Sequence, residues 1–253
     1  MTDSREGNGR VQVAYLHPHR VSHSWHESMM RLVAYDAANN ARVVSTGGPF
    51  MISCDANGLV EGRNTGCRKF LDETDHEWLW WIDTDMGFLP DTVDRLVEAA
   101  DPATRPVVGG LCFALREVTY DGYGGRRMMP IPTLYMPGRD ARGHYGFVNR
   151  YDYPKDSLVQ VAGTGAACLL IHRTVLEKLR AEHGDRWFDR VRYQDGAAIS
   201  EDLSFCYRLV MAGIPLFVHT GVKTTHHKQV WVSEDDYAPP RVVSGGQAST
   251  SAG

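Results

Sequence analysis

Five consecutive bulky apolar residues, Trp78-Leu79-Trp80-Trp81-Ile82, run directly into Asp83-Thr84-Asp85. Side chains alternate between faces along a strand, so a strand that is apolar at every position has no face to give to water. The segment 77–83 therefore belongs in the middle of a sheet covered on both sides. Its last residues are two carboxylates one residue apart, which repel unless a cation or hydrogen-bond donors neutralise them. A hard divalent ion with oxygen ligands does this well. Solvation of an acidic turn, with Asp85-Met86-Gly87 reversing the chain, does it too. The triplet alone leaves both readings open.

The flanking pattern extends the argument. A β-branched strand at 10–17 is followed by a helix at 22–37 with Met29, Leu32, Val33 and Tyr35 at helical spacing. A second strand is expected at 41–46, a helix at 57–71, the apolar strand at 77–83, and a further helix opened by Pro90, since proline suits a first helical position. Strands alternating with helices imply an α/β fold with a mostly parallel central sheet and helices on its faces. In such sheets ligands gather beyond the carboxyl ends of the strands. Asp83 and Asp85 lie at one of those ends.

The second half changes character. A strand is expected at 105–115, and 116–157 is then crowded with Gly, Tyr, Arg and Pro, reading as loops with short antiparallel strands such as 131–136. A stretch of this length with weak periodicity is a binding segment or is disordered; its tyrosines Tyr120, Tyr123, Tyr135 and Tyr145 argue against disorder and leave a binding segment or a structural lobe. A strand pattern resumes at 158–172, with helices at 173–183 and 200–213, the latter with Ser200 as N-cap and Gly213 just past its end. A last strand at 214–220 precedes Val222-Lys223-Thr224-Thr225-His226-His227-Lys228. No repeat and no linker divides the chain, so one domain is expected over 1–238, its first half at about 10–115 and its second at about 116–232; the resemblance described below implies a nucleotide role for the first and an acceptor role for the second. The low-complexity end, 239–253, is expected to be disordered.

Composition removes several classes of function. With 253 residues, 43% of them hydrophobic, the chain can bury a full core. A net charge of -4 gives no basic field for coating nucleic acid or an anionic membrane. The five cysteines, Cys54, Cys67, Cys112, Cys168 and Cys206, are odd in number and never paired as C-x-x-C, which reads as reduced thiols of a cytoplasmic protein. No apolar run approaches the ~18 residues of a membrane span.

Three further groups bear on chemistry. Glu201 and Asp202 open a helix, where the helix dipole alone favours acids, yet two carboxylates there can also face a reaction centre. His226 and His227 follow the last strand, and imidazole beside carboxylates suits Mn²⁺ or a similar ion. Gly163-Thr164-Gly165 and Gly109-Gly110 mark close backbone approach. Neither glycine group has the spacing of a dinucleotide fingerprint or a phosphate-binding P-loop.

Taken in order, 61–71, 78–97, 107–113, 161–179, 200–218 and 222–228 resemble the motifs of GT-A fold glycosyltransferases, with the nearest likeness to small stand-alone family-2-like enzymes, some encoded by bacteriophages. The likeness covers about residues 11 to 232. It implies a metal-dependent transfer of a sugar from a nucleoside-diphosphate sugar, UDP-sugar favoured, to an acceptor hydroxyl on a glycan or protein, without nucleic acid or a membrane span. Asp83 and Asp85 would be the D-x-D that binds Mn²⁺ or Mg²⁺, with Asp83 nearer the ribose, and His226 would complete the metal site. Arg63, Asn64 and Gly110 would support the nucleotide side, while Gly163, Thr164 and Gly165 would line the sugar and acceptor pocket. Asp202, with Glu201 beside it, would accept the proton of the acceptor hydroxyl. His227 doubles the expected histidine and leaves the ligand open between the two.

Two other classes compete with this reading. A nucleotidyltransferase would share sheet and metal, but the Gly-rich triphosphate loop after the first strand is replaced by 15–25, Tyr-Leu-His-Pro-His-Arg-Val-Ser-His-Ser-Trp. A non-catalytic carbohydrate-binding or structural protein on the same fold is the other.

Overall fold

A computed structural model describes residues 9–53, 58–119, 126–139 and 143–229. Strand β1 (Val11–His17) leads into helix α1 (His23–Ala38), strand β2 (Phe50–Ser53), helix α2 (Gly58–Glu73), strand β3 (Trp78–Ile82), the short β4 (Met86–Gly87) and helix α3 (Thr92–Ala99). Then come β5 (Val107–Leu111), the hairpin of β6 (Phe113–Thr119) and β7 (Arg126–Pro132), and a second hairpin of β8 (Tyr135–Arg139) and β9 (Tyr145–Asn149). The chain closes with β10 (Leu158–Val161), β11 (Cys168–His172), helices α4 (Arg173–His183) and α5 (Glu201–Met211), β12 (Leu216–Lys223) and β13 (Thr225–His226).

Seven strands form the central sheet in the order β10-β12-β5-β11-β3-β1-β2. From the pair orientations, β1, β2, β3, β5 and β12 run one way, and β10 and β11 run against them. The sheet is thus mixed with a parallel majority. β3 lies between β1 and β11 and is buried at all five residues, as its composition demands. Leu79 and Trp81 join the core that includes Phe70, Leu176 and Phe205 of α2, α4 and α5; Trp78, Trp80 and Ile82 join the other core with Trp25, Leu32 and Leu96 of α1 and α3. A residue with any side chain at Gly66 would overlap the Trp81 ring, so glycine lets α2 sit close on the sheet.

Several expectations are corrected. The stretch 41–46 is not a strand despite Val43 and Val44. Asp36, buried at the end of α1, accepts backbone N–H bonds from Arg42 (2.8 Å), Val43 (2.9 Å) and Val44 (2.7 Å), which coils the chain into a single 3-10 turn at Val44–Thr46. A side-chain carboxylate supplies local acceptors that outcompete a ladder, and the second strand begins only at Phe50. Removing those acceptors with Asp36→Ala should lower stability by about 2 kcal/mol, since the amides lose their partners inside the fold. Urea unfolding checks this; an unchanged midpoint would mean that solvent satisfies the amides.

Elsewhere the boundaries move. Pro90 lies outside α3, whose N-cap is Asp91. The expected strand at 105–115 breaks at Cys112 into β5 and β6, and that at 158–172 breaks into β10 at the sheet edge and β11 in its centre. On α1 the buried stripe is Trp25, Ser28, Met29, Leu32 and Asp36, while Val33 faces out. Short antiparallel strands do occur within 116–157, as the two hairpins, but the expected strand at 131–136 breaks at Thr133-Leu134 between β7 and β8. Cys54, Tyr120, Tyr123 and the tail 239–253 lie outside the described residues. The four described cysteines are buried and unpaired, and no described helix is long and apolar enough to cross a membrane.

Candidate active site

The carboxyl ends of β1 and β3 border a cavity of about 520 Å³, lined among others by Arg20, Ser22, Arg63, Asp83, Asp85 and Glu201. The Asp83-Thr84-Asp85 turn is pinned on several sides. Asp83 N–H donates to the Ala167 carbonyl (3.0 Å), Ser22 N–H donates to the Thr84 carbonyl (2.9 Å), and the buried Thr84 hydroxyl faces the Leu16 carbonyl at 3.5 Å. The buried strand thus ends in a turn with little freedom, and both carboxylates lean into the cavity.

Each carboxylate has its own cation. Asp83 Oδ1 accepts from Arg63 Nη2 at 2.8 Å. That guanidinium is almost wholly buried, with its carbon 5.1 Å from the Trp81 ring centre and 5.7 Å from that of Phe188. Burial opposes its charge, yet the Asp83 carboxylate outweighs this and holds the Arg63 pKa above the ordinary arginine value. Arg63 therefore fixes Asp83 from beneath, leaving Asp83 Oδ2 without a partner among the described residues.

Asp85 Oδ2 receives Lys228 Nζ at 2.7 Å and lies 3.1 Å from His226 Nε2. Partial burial raises the Asp85 pKa, but the hydrogen bonds from His226 and Lys228 prevail and pull it down to about 2. For His226, burial works against the charge, while the bonds to Asp85 and to the Phe113 carbonyl prevail and raise its pKa. The histidine is placed by β13, which pairs antiparallel with β4 so that His226 stands opposite Met86. His227, one residue on, donates its backbone N–H to the Asp85 carbonyl at 2.8 Å and leaves its ring exposed. Of the two histidines it is His226 whose ring the fold brings to the acidic turn.

A divalent ion can be tested against this donor set. His226 Nδ1 lies 2.6 Å from the Phe113 carbonyl, which only accepts, so Nδ1 carries the proton. In the neutral ring Nε2 then turns a lone pair toward a carboxylate oxygen, an arrangement that requires a second proton or a cation between them. A carbonyl-anchored imidazole beside a carboxylate is a common ligand pair for Mn²⁺-like ions. Among the described residues no group of three or more His, Cys, Asp or Glu side chains forms a complete cage. Two protein ligands fit an ion that takes its remaining oxygens from phosphates and water. Asp83, committed on one oxygen to Arg63, stands beside that pair.

On the opposite side, Ser200 is the N-cap of α5 by position, but its hydroxyl bonds to Asp202 Oδ1 and makes no cap bond to the helix backbone. The same Oδ1 accepts from Leu203 N–H at 2.7 Å. Asp202 Oδ2 has no partner among the described residues, and the nearest atom that a Cβ on Gly165 would meet is this oxygen, 3.6 Å away. Glu201 lines the cavity and is countered by Arg190 Nη2 at 3.6 Å.

The remaining expected residues divide. Gly165 borders Asp202 and Thr133, and Gly163 is bonded on both backbone groups to Tyr135. Thr164 points inward, exchanging hydrogen bonds with Cys206. Asn64 and Gly110 do not line the cavity. The Asn64 amide donates to Asp189 at 2.7 Å and accepts from Phe188 N–H at 2.8 Å, tying α2 to 188–189. Gly110 is packed in β5, where a Cβ would lie 3.0 Å from Cys168 Sγ. Sequence reasoning missed Arg20 and the engagement of Lys228 with Asp85; the basic residue after the histidine pair was the available signal.

No protein-family model and no curated protein matches the chain. Among solved structures it is similar to A197 from STIV, with a TM-score of 0.50 and 17% identity, covering 87% of this chain and 86% of that one. It is similar also to GalNAc-T7, solved with UDP, GalNAc and Mn²⁺, with a TM-score of 0.53 and 12% identity, covering 93% of this chain. The alignment spans 46% of the GalNAc-T7 chain. At these identities the likeness concerns the fold, and it agrees with the mixed sheet between helix layers: the architecture is of the GT-A, Rossmann-like type.

Proposed function

We propose that this chain is a glycosyltransferase that moves a sugar from a nucleoside-diphosphate sugar, a UDP-sugar in first place, to an acceptor hydroxyl on a glycan or protein. The observation that carries the reading is the convergence of Asp83, Asp85 and Glu201 around one cavity at the carboxyl end of β3, with His226 held on Asp85 behind its wall, His227 on the wall itself, and Asp202 at the start of α5. The UDP and Mn²⁺ in the GalNAc-T7 structure support the choice of UDP and of a divalent ion. We read 10–232 as one catalytic unit, its first half serving the nucleotide and its second the acceptor. The buried thiols suit a reducing cytoplasm.

In this reading Asp85 and His226 hold the ion, and Asp83, steadied by Arg63, offers Oδ2 to a ribose hydroxyl. Bound there, the ion would offset the negative charge that develops on the departing diphosphate. Lys228, on Asp85 and partly exposed, adds a positive charge at the same place. Asp202 Oδ2 takes the proton of the attacking hydroxyl, and Gly165 leaves the space in which that hydroxyl lies. The anomeric configuration of the product, read by NMR, assigns the displacement as inverting or retaining.

UDP titrated by calorimetry should bind measurably with Mn²⁺ and at least about tenfold more weakly with chelator. Equal affinity in the two would remove the metal from the proposal. A screen of nucleotide sugars for metal-dependent hydrolysis then identifies the donor.

A further inference from the structure

A second cavity, of about 530 Å³, lies apart from the acidic turn, between β9 and the segment that leads into α5. Its walls are His144, Tyr145, Arg192, Tyr193, Gln194 and Tyr207, among others. Tyr145 is 48% exposed, so its ring face is open to a ligand. His144 lies flat on Tyr193, with ring centres 4.4 Å apart and planes within 9°. The side chains of Arg192, Gln194 and Tyr207 make no hydrogen bond or ion pair among the described residues, although all three border the same space.

The wall is preformed. Arg192 pairs with Ala198 across a tight hairpin, closed by Tyr193 N–H to the Ala197 carbonyl at 2.7 Å and by Gly196 in the left-handed region at φ +84°. Val191 N–H donates to Ser204 Oγ at 2.9 Å, which docks the hairpin on α5. The Tyr193 hydroxyl donates to the Tyr145 carbonyl at 2.8 Å and joins the hairpin to β9. Aromatic faces accept the C–H faces of a sugar ring, while amide, guanidinium and phenol groups at the edge meet its hydroxyls. Tyrosine gives that contact area at low cost in side-chain entropy. The volume suits a ligand of one or two rings.

Position links this cavity to the acceptor side. Tyr207 follows Asp202 by five residues on α5, ~7.5 Å along the axis and about 140° around it, so the two share the helix but not a face. Tyr145 is two residues from Phe147, whose ring packs where a Cβ on Gly163 would lie. We propose that the cavity binds a hexopyranose ring of the acceptor, as a carbohydrate subsite beyond the hydroxyl served by Asp202, so that the acceptor is an oligosaccharide. The link to transfer rests on the glycosyltransferase reading above; the binding of a sugar ring does not.

The test uses the full chain and four defined probes: cellotetraose, maltotetraose, chitotetraose and mannotetraose. Saturation-transfer NMR should detect at least one of them, with a Kd on the order of 1 mM. Tyr145→Ala should weaken that binding about tenfold or more, and Tyr207→Phe more modestly, with the Mn²⁺-dependent affinity for UDP unchanged in both. Binding of none of the probes, or equal binding by wild type and Tyr145→Ala, overturns the subsite. If a tetrasaccharide binds through Tyr145 while UDP does not bind at all, the subsite stands and the donor reading fails. If UDP binds and no tetrasaccharide does, the failure belongs to the subsite alone.

Discussion

Asp202→Asn should reduce sugar transfer by about 10²-fold or more, while nucleotide affinity and unfolding midpoint stay near wild type. The geometry separates these effects. Oδ1 of Asp202 faces the Ser200 hydroxyl and the Leu203 N–H, and an asparagine carbonyl can accept in the same place. Oδ2 faces the space beside Gly165, and there an amide nitrogen cannot take a proton. Glu201 is the alternative base, but Arg190 stands 3.6 Å from its carboxylate, whereas Asp202 has no cationic partner among the described residues. A variant that unfolds early with unchanged turnover per folded molecule would make Asp202 a stabiliser of the α5 start, and Glu201→Gln would be measured next.

His226→Ala should weaken Mn²⁺-dependent UDP binding by on the order of 10²-fold, and His227→Ala by about twofold at most. The asymmetry follows from β13: His226 brings Nε2 to 3.1 Å from Asp85 and anchors Nδ1 on the Phe113 carbonyl, while His227 touches Asp85 only through its backbone. Calorimetry of both variants with Mn²⁺ and with chelator checks the ranking. If His227→Ala has the larger effect, the ligand moves by one residue and the pairing of β13 with β4 no longer explains the site.

Much of the frame was legible because it depends on local pattern. α1, α2, α4 and α5 have apolar residues at helical spacing, and β3 is apolar on both faces. The place of Asp83 and Asp85 at a strand end followed from the same pattern. The misread segment 41–46 shows the limit of this. Val43 and Val44 favour a strand, but Asp36, several residues earlier, captures their amides, and no propensity within the segment records that. The partners of Asn64 were hidden for a similar reason: Phe188 and Asp189 lie more than a hundred residues away in the chain.

By itself, then, the sequence determined an α/β chain with a doubly buried strand ending in two acids, because side-chain alternation and helical periodicity act over a few residues. Tertiary structure decided that β11 runs antiparallel between β3 and β5, that His226 rather than His227 turns its ring to Asp85, and that Arg63 and Lys228 neutralise the acidic pair. Those outcomes depend on which distant backbones pair and in what register, and a shift of one residue in β13 reverses the direction of every side chain on it.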